Sequence, residues 1–319
     1  MTFHAPLEPG ESLRELTWSG AESERLDRAL AAALGLSRRR CMQLVEEDRV
    51  RLNGKRVPKG ATVSLGARLT VRLPPADAPT PQPDLPIGIL HADPAVIVAD
   101  KPAGMPSHPL KPGELGTAAN ALVGRFADLV TAGGSPREGG LVHRLDTATS
   151  GCLIAARTPE ALAALRAQFD AHTVEKTYLA LVEGHVHSEG AIDAAIAHDE
   201  SDPRRVRVSS DVAWGVEHRA RPARTLYAPQ ERLGSAGTAF TLLRVQIPTG
   251  VLHQIRAHLA HIGHPVVGDA LYGGPAIAGL QRHFLHASAI AFDHPQSGQR
   301  LSFESPLPSE LRDALARLR

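Results

Sequence analysis

A chain of 319 residues, 43% hydrophobic and 22% charged, has the make-up of a globular protein with room for one large domain and one small one. No apolar run is long enough to span a bilayer, MTFHAPLEPGESLRELTW lacks the plan of a secretory signal, and Cys41 and Cys152 sit in no CxxC pair. Membrane spans, disulfide frameworks and cysteine-held zinc are thereby excluded as expectations, and a reducing cytoplasm fits.

The net charge of +1 is unevenly spread. Between Arg25 and Pro74 twelve Lys/Arg stand against four Asp/Glu, so this stretch carries +8 and the remainder −7. Such asymmetry fits a small basic module meeting a polyanion, or a solvated cationic face with no partner. Residues 1–20 read as a polar lead-in, 21–74 as the basic module, and 75–86, in the proline-rich PPADAPTPQPDLP, as an extended semi-rigid linker. Residues 87–319 form the main domain.

Within the module, Leu26, Leu30 and Leu34 mark one face of a helix that Gly35 stops. Ser37 caps a second helix, RRRCMQLVEE, whose first turn holds Arg38, Arg39 and Arg40. Cations there oppose the helix dipole, so phosphate contact explains them better than helix stability. Val50, Leu52, the Asn53-Gly54 turn and Val57 form a hairpin, and Val63 to Leu73 alternate as closing strands. This αα-then-β arrangement, RLDRALAAALGLSRRRCMQLVEEDRVRLNGKRVPKGATVSLGARLTV, resembles the S4 RNA-binding domain. Asp48 stands where such domains usually carry Gly, and Asp can take the left-handed backbone that position needs. The resemblance implies phosphate contacts from Arg38, Arg39, Arg40, Lys55, Arg56 and Lys59.

In the main domain, LHADPAVIVAD reads as a strand hairpin and Cys152–Ala156 as a buried strand. Thr158-Pro-Glu opens a helix striped by Leu162, Leu165 and Phe169; TYLALV is a strand; Gln254 to His261 is a helix stopped by Gly263 and Pro265. Strands and helices do not alternate, which predicts an α+β domain on a mixed, largely antiparallel sheet. The Asp202–Trp214 region gives no clear pattern, and neither GxGxxG nor GxxxxGK[ST] is present as a phosphate loop.

Asp146, in a Thr/Ser/Gly loop between an Arg and a buried strand, is either a nucleophile or base, or a turn cap. HRLDTATSG, together with KPAGMPSHP, EKTYLALVEG, HQIRAHLAHIGHPVVGDALYG, FLHASAIAFDHPQSG and FESPLP, resembles the RluA-type pseudouridine synthases over about Leu90 to Leu307. The resemblance implies that uridine in RNA is isomerised to pseudouridine with Asp146 as the essential carboxylate. It makes Tyr178 the tyrosine that stacks on the base and is a candidate to help remove the C5 proton, Arg256 the partner of the carboxylate, and Ile255 the residue packed under the base. His253 and Arg144 are expected at the substrate, Arg144 filling the space an extruded uridine leaves. Val251-Leu252 stand where the family has Arg-Thr.

His253, His258, His261 and His264 lie close in sequence, but no HExxH accompanies them, so packing and hydrogen bonding are expected rather than a metal. Lys101-Pro-Ala-Gly reads as a rigid turn. The chemistry implied needs no cofactor. The expected substrate is structured RNA, large-subunit ribosomal RNA first and transfer RNA second, bound by a cytoplasmic monomer that contacts no membrane. Two other readings are a catalytically silent S4-type RNA-binding or ribosome-assembly protein, and a hydrolase of free nucleosides.

Overall fold

The structure, a computed structural model, describes residues 11–20, 23–58, 60–73, 78–234 and 239–319. They divide into two compact units: one runs to Thr80 and adds Leu110–Glu114, the other comprises Pro81–Pro109 and Leu115–Arg319.

The first unit contains β1 (Ser12–Thr17), β2 (Ser23–Arg25), α1 (Leu26–Leu34), α2 (Arg38–Glu46), β3 (Val50–Leu52), β4 (Lys55–Arg56), β5 (Thr62–Ser64) and β6 (Arg68–Leu73). One sheet has the order β1-β6-β3-β4, and β2 pairs with β5. The helical stripe works as its spacing requires: Leu26 and Leu30 are buried with Cys41, Leu44, Val63 and Leu69 in one core. Gly35 ends α1 in the left-handed conformation, and the Ser37 side chain accepts from the Arg40 amide at the start of α2. Asp48 has φ 59°, the backbone for which Gly is the usual choice.

Residues 1–20 are not wholly an extension. Strand β1 pairs antiparallel with β6 from Ser12↔Leu73 to Thr17↔Arg68. Next to it, the Glu11 carboxylate accepts from Arg49 at 2.6 Å and Arg72 at 2.8 Å. The lead-in therefore adds an edge strand and clamps two of the module's arginines.

The linker expected over 75–86 is also shorter than its prolines suggest. Residues 74–77 lie outside the described set. From Pro81 onward the chain belongs to the second unit, where Arg125 donates to the carbonyls of Pro83 (3.1 Å), Leu85 (2.7 Å) and Ile87 (2.8 Å). A guanidinium fork fixes backbone that has few amides of its own to offer.

The second unit runs β7 (Gly88–Ala92), β8 (Val96–Lys101), α3 (Ala118–Arg125), β9 (Ser150–Ala156), α4 (Pro159–Asp170), β10 (Glu175–Glu183), β11 (Gly190–Asp193), β12 (Ala195–His198), β13 (Val206–Ser209), α5 (Val212–Glu217), β14 (Arg224–Leu233), β15 (Phe240–Gln246), α6 (Gln254–His261), β16 (Leu285–Asp293), β17 (Arg300–Glu304) and α7 (Ser309–Leu318). Its main sheet has the order β11-β14-β15-β10-β16-β9-β8-β7, with β17 also on β16. The β9–β16 contact is parallel, and the other named pairings are antiparallel. This is an α+β domain on a mixed, largely antiparallel sheet. Strands β8 and β9 are almost wholly buried, as continuous apolar runs require, and both faces of the sheet are packed. The Asp202–Trp214 region, illegible in sequence, holds β13, which pairs with β12, and the start of α5. Among the described residues no helix is long and apolar enough to cross a membrane.

Candidate active site

A cleft of about 600 Å³ opens in the second unit, a volume suited to one small molecule or one extruded nucleotide. Its lining includes Arg144, Asp146, Tyr178, His253, Ile255 and Arg256, so all six residues that sequence reasoning assigned to catalysis and substrate meet there.

Asp146 lies on the loop before β9, and its backbone is staked from several sides. The Ser107 hydroxyl accepts from the Leu145 amide at 2.9 Å and donates to the Leu145 carbonyl at 2.8 Å. The Thr149 amide returns to the Asp146 carbonyl at 3.0 Å, closing a turn. Lys101, fully buried, donates to the carbonyls of Pro102, Met105 and Thr147. Burial pushes its ammonium down to about 7, while the nearby Asp146 charge and the three carbonyls favour the charged form. Arg282 donates to the Ala148 carbonyl at 2.9 Å, and Thr149 and Ser150 bond His283 and His286. Lys101 thus does more than stiffen a turn: it ties the KPAG segment to the Asp146 loop.

The loop ends at Gly151, with φ +117°. A Cβ there would lie 2.1 Å from the Ala287 carbonyl oxygen. Only glycine lets β9 approach β16 at the point where their parallel pairing begins, Ser150 opposite His286.

The carboxylate meets Arg256 at 2.9 Å, from Nη1 to Oδ2. Arg256 stands on α6, which Gln254 anchors with bonds to Arg224, Thr225, Thr249 and Val251. The other two guanidinium donors, Nε and Nη2, go to Asp269 at 2.6 and 2.9 Å. Arg256 is buried, and isolating its charge from water would cost several kcal/mol without partners. Burial alone would lower its pKa; Asp269 and Asp146 together hold it above the ordinary value.

His253 caps α6 with φ 53°, and its Nε2 lies 3.9 Å from Asp146 Oδ2. Its Nδ1 is 3.0 Å from the Tyr272 hydroxyl, which itself accepts from the Val206 amide at 3.0 Å. Burial lowers the His253 pKa, so the ring is neutral at pH 7.

Tyr178 sits on β10 where the register with β16 shifts between Thr177 and Leu179, an irregularity of the kind that re-aims side chains beside active sites. Burial, then the Asp146 charge, pushes its phenol well above the ordinary value, so it is protonated at neutral pH. Ile255 is buried beside the cleft, and Arg144 is exposed at it, with no hydrogen bond or ion pair to any described residue. Val251 and Leu252 pack against the cluster of Ile196, Val206 and Tyr272, exchanging a polar pair for contact with the β12–β13 hairpin.

Asp269, Tyr272, Ser107 and the loop-holding role of Lys101 escaped the sequence reading. The only signal for the first two was the GDALYG segment itself. The nearby histidines are structural: His258 bonds Thr225 and the Ala194 carbonyl, and His264 the Glu183 carbonyl. Among the described residues no three His, Cys, Asp or Glu side chains are grouped to hold a metal.

In the first unit the expected phosphate contacts differ among themselves. Arg38 donates to Asp27 at 2.8 Å, Arg56 reaches Asp48 at 2.9 Å, and Arg40 is 4.0 Å from Glu47. Arg39 and Lys55 are exposed and have no ion pair among the described residues. Lys59 lies outside the described residues. An exposed pair is worth at most about 1 kcal/mol, so a phosphate could replace that of Arg56 cheaply, whereas Asp27, the partner of Arg38, is buried.

Comparison with known proteins follows the same division. Residues 95–261 match the family model described as RNA pseudouridylate synthase, and residues 24–69 match the S4 domain. An uncharacterised RNA pseudouridine synthase of Mycobacterium bovis is 37% identical over 94% of this chain and 96% of its own. A protein of Xanthomonas campestris named ribosomal large subunit pseudouridine synthase D is 35% identical over 94% of this chain and 90% of its own. Among solved structures, human RNA pseudouridylate synthase domain containing 1 aligns with a TM-score of 0.53 at 24% identity, over 75% of this chain and 97% of that one, a likeness of fold.

Proposed function

Since the chain belongs to the RNA pseudouridylate synthase family and carries an S4 domain, we propose that it isomerises uridine to pseudouridine in large-subunit ribosomal RNA, with Asp146 as its catalytic carboxylate. The supporting observation is the Arg256–Asp146 bond of 2.9 Å inside a nucleotide-sized cleft that Tyr178 also lines.

The reaction breaks the bond between ribose C1′ and uracil N1, turns the base and joins C1′ to C5. The C5 proton leaves, N1 gains one, and substrate and product are isomers. No electron is exchanged, so the chemistry calls for no redox cofactor. Asp146 either attacks C1′ and is displaced by C5, or takes a ribose proton; both need a carboxylate with an accessible oxygen.

Tyr178, protonated at neutral pH, suits stacking on the base better than service as a phenolate base. Ile255 supplies an apolar floor, and Arg144, exposed and without a partner among the described residues, can occupy the gap in the RNA stack. The nucleoside-hydrolase reading needs a second working carboxylate; Asp269 cannot serve, with both oxygens on Arg256 and 2% exposure, and Asp170, which also lines the cleft, leaves free uridine as the test of that reading. In the S4 unit, Arg39 and Lys55, with Arg38, Arg40, Arg56 and Lys59, hold the RNA backbone. The chain works as a cytoplasmic monomer. Transfer RNA is the second substrate to test.

The test uses the full-length protein with a large-subunit ribosomal RNA transcript, a transfer RNA transcript and free uridine. Pseudouridine is expected in the first alone. The Asp146→Asn variant is expected to bind the transcript as wild type does and to lose about 10³-fold or more in rate. Undiminished modification by that variant would remove Asp146 from the chemistry. RNA binding with no modification by wild type would leave the silent RNA-binding reading.

A further inference from the structure

The two groups flanking the catalytic carboxylate are both held by one short segment. Asp269 and Tyr272 are the ends of a turn, closed by the Tyr272 amide to the Asp269 carbonyl at 3.2 Å. The Asp269 carboxylate is itself fixed by the Leu271 amide and takes Arg256 by Nε and Nη2. Only Nη1 is then left to reach Asp146.

Tyr272 fixes the second group. Its hydroxyl accepts from the Val206 amide, so its own proton is free to go to His253 Nδ1. That leaves the hydrogen of neutral His253 on Nε2, the nitrogen facing Asp146. The Tyr272 ring also lies under the Arg256 guanidinium, 5.2 Å from its carbon. His253 keeps a left-handed backbone to stand there, a conformation uncommon outside glycine.

Both donors approach the same oxygen, Oδ2: Arg256 at 2.9 Å and His253 at 3.9 Å. Among the described residues no hydrogen bond reaches Oδ1. An arginine without Asp269 would be free to turn its fork onto both oxygens of Asp146, the usual bidentate arrangement, and block the one that must react.

Resting on the proposed function, we infer that the Asp269–Tyr272 turn is the positioning device of the active site: Asp269 restricts Arg256 to one bond, Tyr272 orients His253, and together they leave Asp146 Oδ1 open to the ribose. Asp269 and Tyr272 touch no reacting atom; they act through Arg256 and His253.

Full-length Asp269→Asn and Tyr272→Phe would be compared with wild type by single-turnover modification of a ribosomal RNA transcript, by transcript affinity, and by ¹⁵N spectra of the histidine rings. Asp269→Asn is expected to slow the saturated rate about 100-fold and Tyr272→Phe about tenfold, with affinity within about twofold of wild type. His253 is expected as the Nε2–H tautomer in wild type and as a mixture in Tyr272→Phe. Wild-type rates in both folded variants, or an Nδ1–H tautomer in wild type, would overturn the inference. Should Asp269→Asn not fold, Tyr272→Phe and the tautomer decide it. An inactive wild type would instead count against the proposed function, and the tautomer would still report on the turn.

Discussion

Both units of the molecule pair arginine with aspartate, and the two kinds of pair do opposite work. In the S4 unit, Arg56 bonds Asp48 while the two side chains remain 75% and 39% exposed. In the catalytic unit, Arg256 bonds Asp269 and Asp146 with only 8% of its side chain exposed. Near water, the partner is exchangeable, since solvent and salt offer nearly the same stabilisation. Out of water, a lost partner leaves an uncompensated charge, so the geometry is enforced. The basic module keeps its cations available to a moving polyanion, and the cleft keeps Arg256 in place.

Arg256→Lys should break this contrast most severely. An ammonium carries the charge but cannot bridge two carboxylates along fixed directions. We expect the catalytic unit to lose about 3–5 kcal/mol in denaturant unfolding, as when a buried pair is broken. Conversion of an RNA transcript should fall below about 1% of wild type. Near-normal activity would mean that charge alone suffices and that buried and exposed pairs differ less than their environments imply.

The exposed side is sharpened by Arg39→Ala with Lys55→Ala. Each removed phosphate contact should lower the slope of log affinity against log salt by about one. The single-turnover rate at saturating RNA should be unchanged. A slower saturated rate with unaltered salt slope would place these residues in the chemistry instead of the docking.

The smallest effect expected is on acid stability. Hydrogen bonds from Arg38 and Arg25 hold the Asp27 carboxyl down at about 2, from an ordinary 3.8. A depressed folded pKa adds stability that is complete above about pH 4 and is lost as the pH falls toward 2. Arg38→Ala should therefore unfold more easily than wild type at neutral pH, the two acid titrations converging near pH 2. Parallel curves over that range would show that the pair contributes nothing to the module.

What sequence could show was local. The Leu26–Leu30–Leu34 stripe, the Ser37 cap, the left-handed Asp48 and the limits of the Gln254–His261 helix depend on neighbours a few residues away, and each stands as expected. The meeting of Asp146, Tyr178 and Arg256 was legible only through resemblance, because 110 residues separate Asp146 from Arg256. The edge strand β1 was missed since its faces are mostly exposed and carry no apolar alternation. The proline run hid its docking because the fork that fixes it comes from Arg125, some forty residues on. In the sequence Asp269 and Tyr272 are only letters of the GDALYG motif. Their importance comes from what lies across the cleft, which no period in the chain encodes.

Gly151 carries a further consequence. Two assemblies, the reactive loop and the seam between β9 and β16, share this one residue, and a single methyl group would collide with the seam. A substitution there would displace the aspartate without altering any group that touches RNA. In a genetic screen it would pass for a lesion of the chemistry itself, although the fault would be one of carpentry.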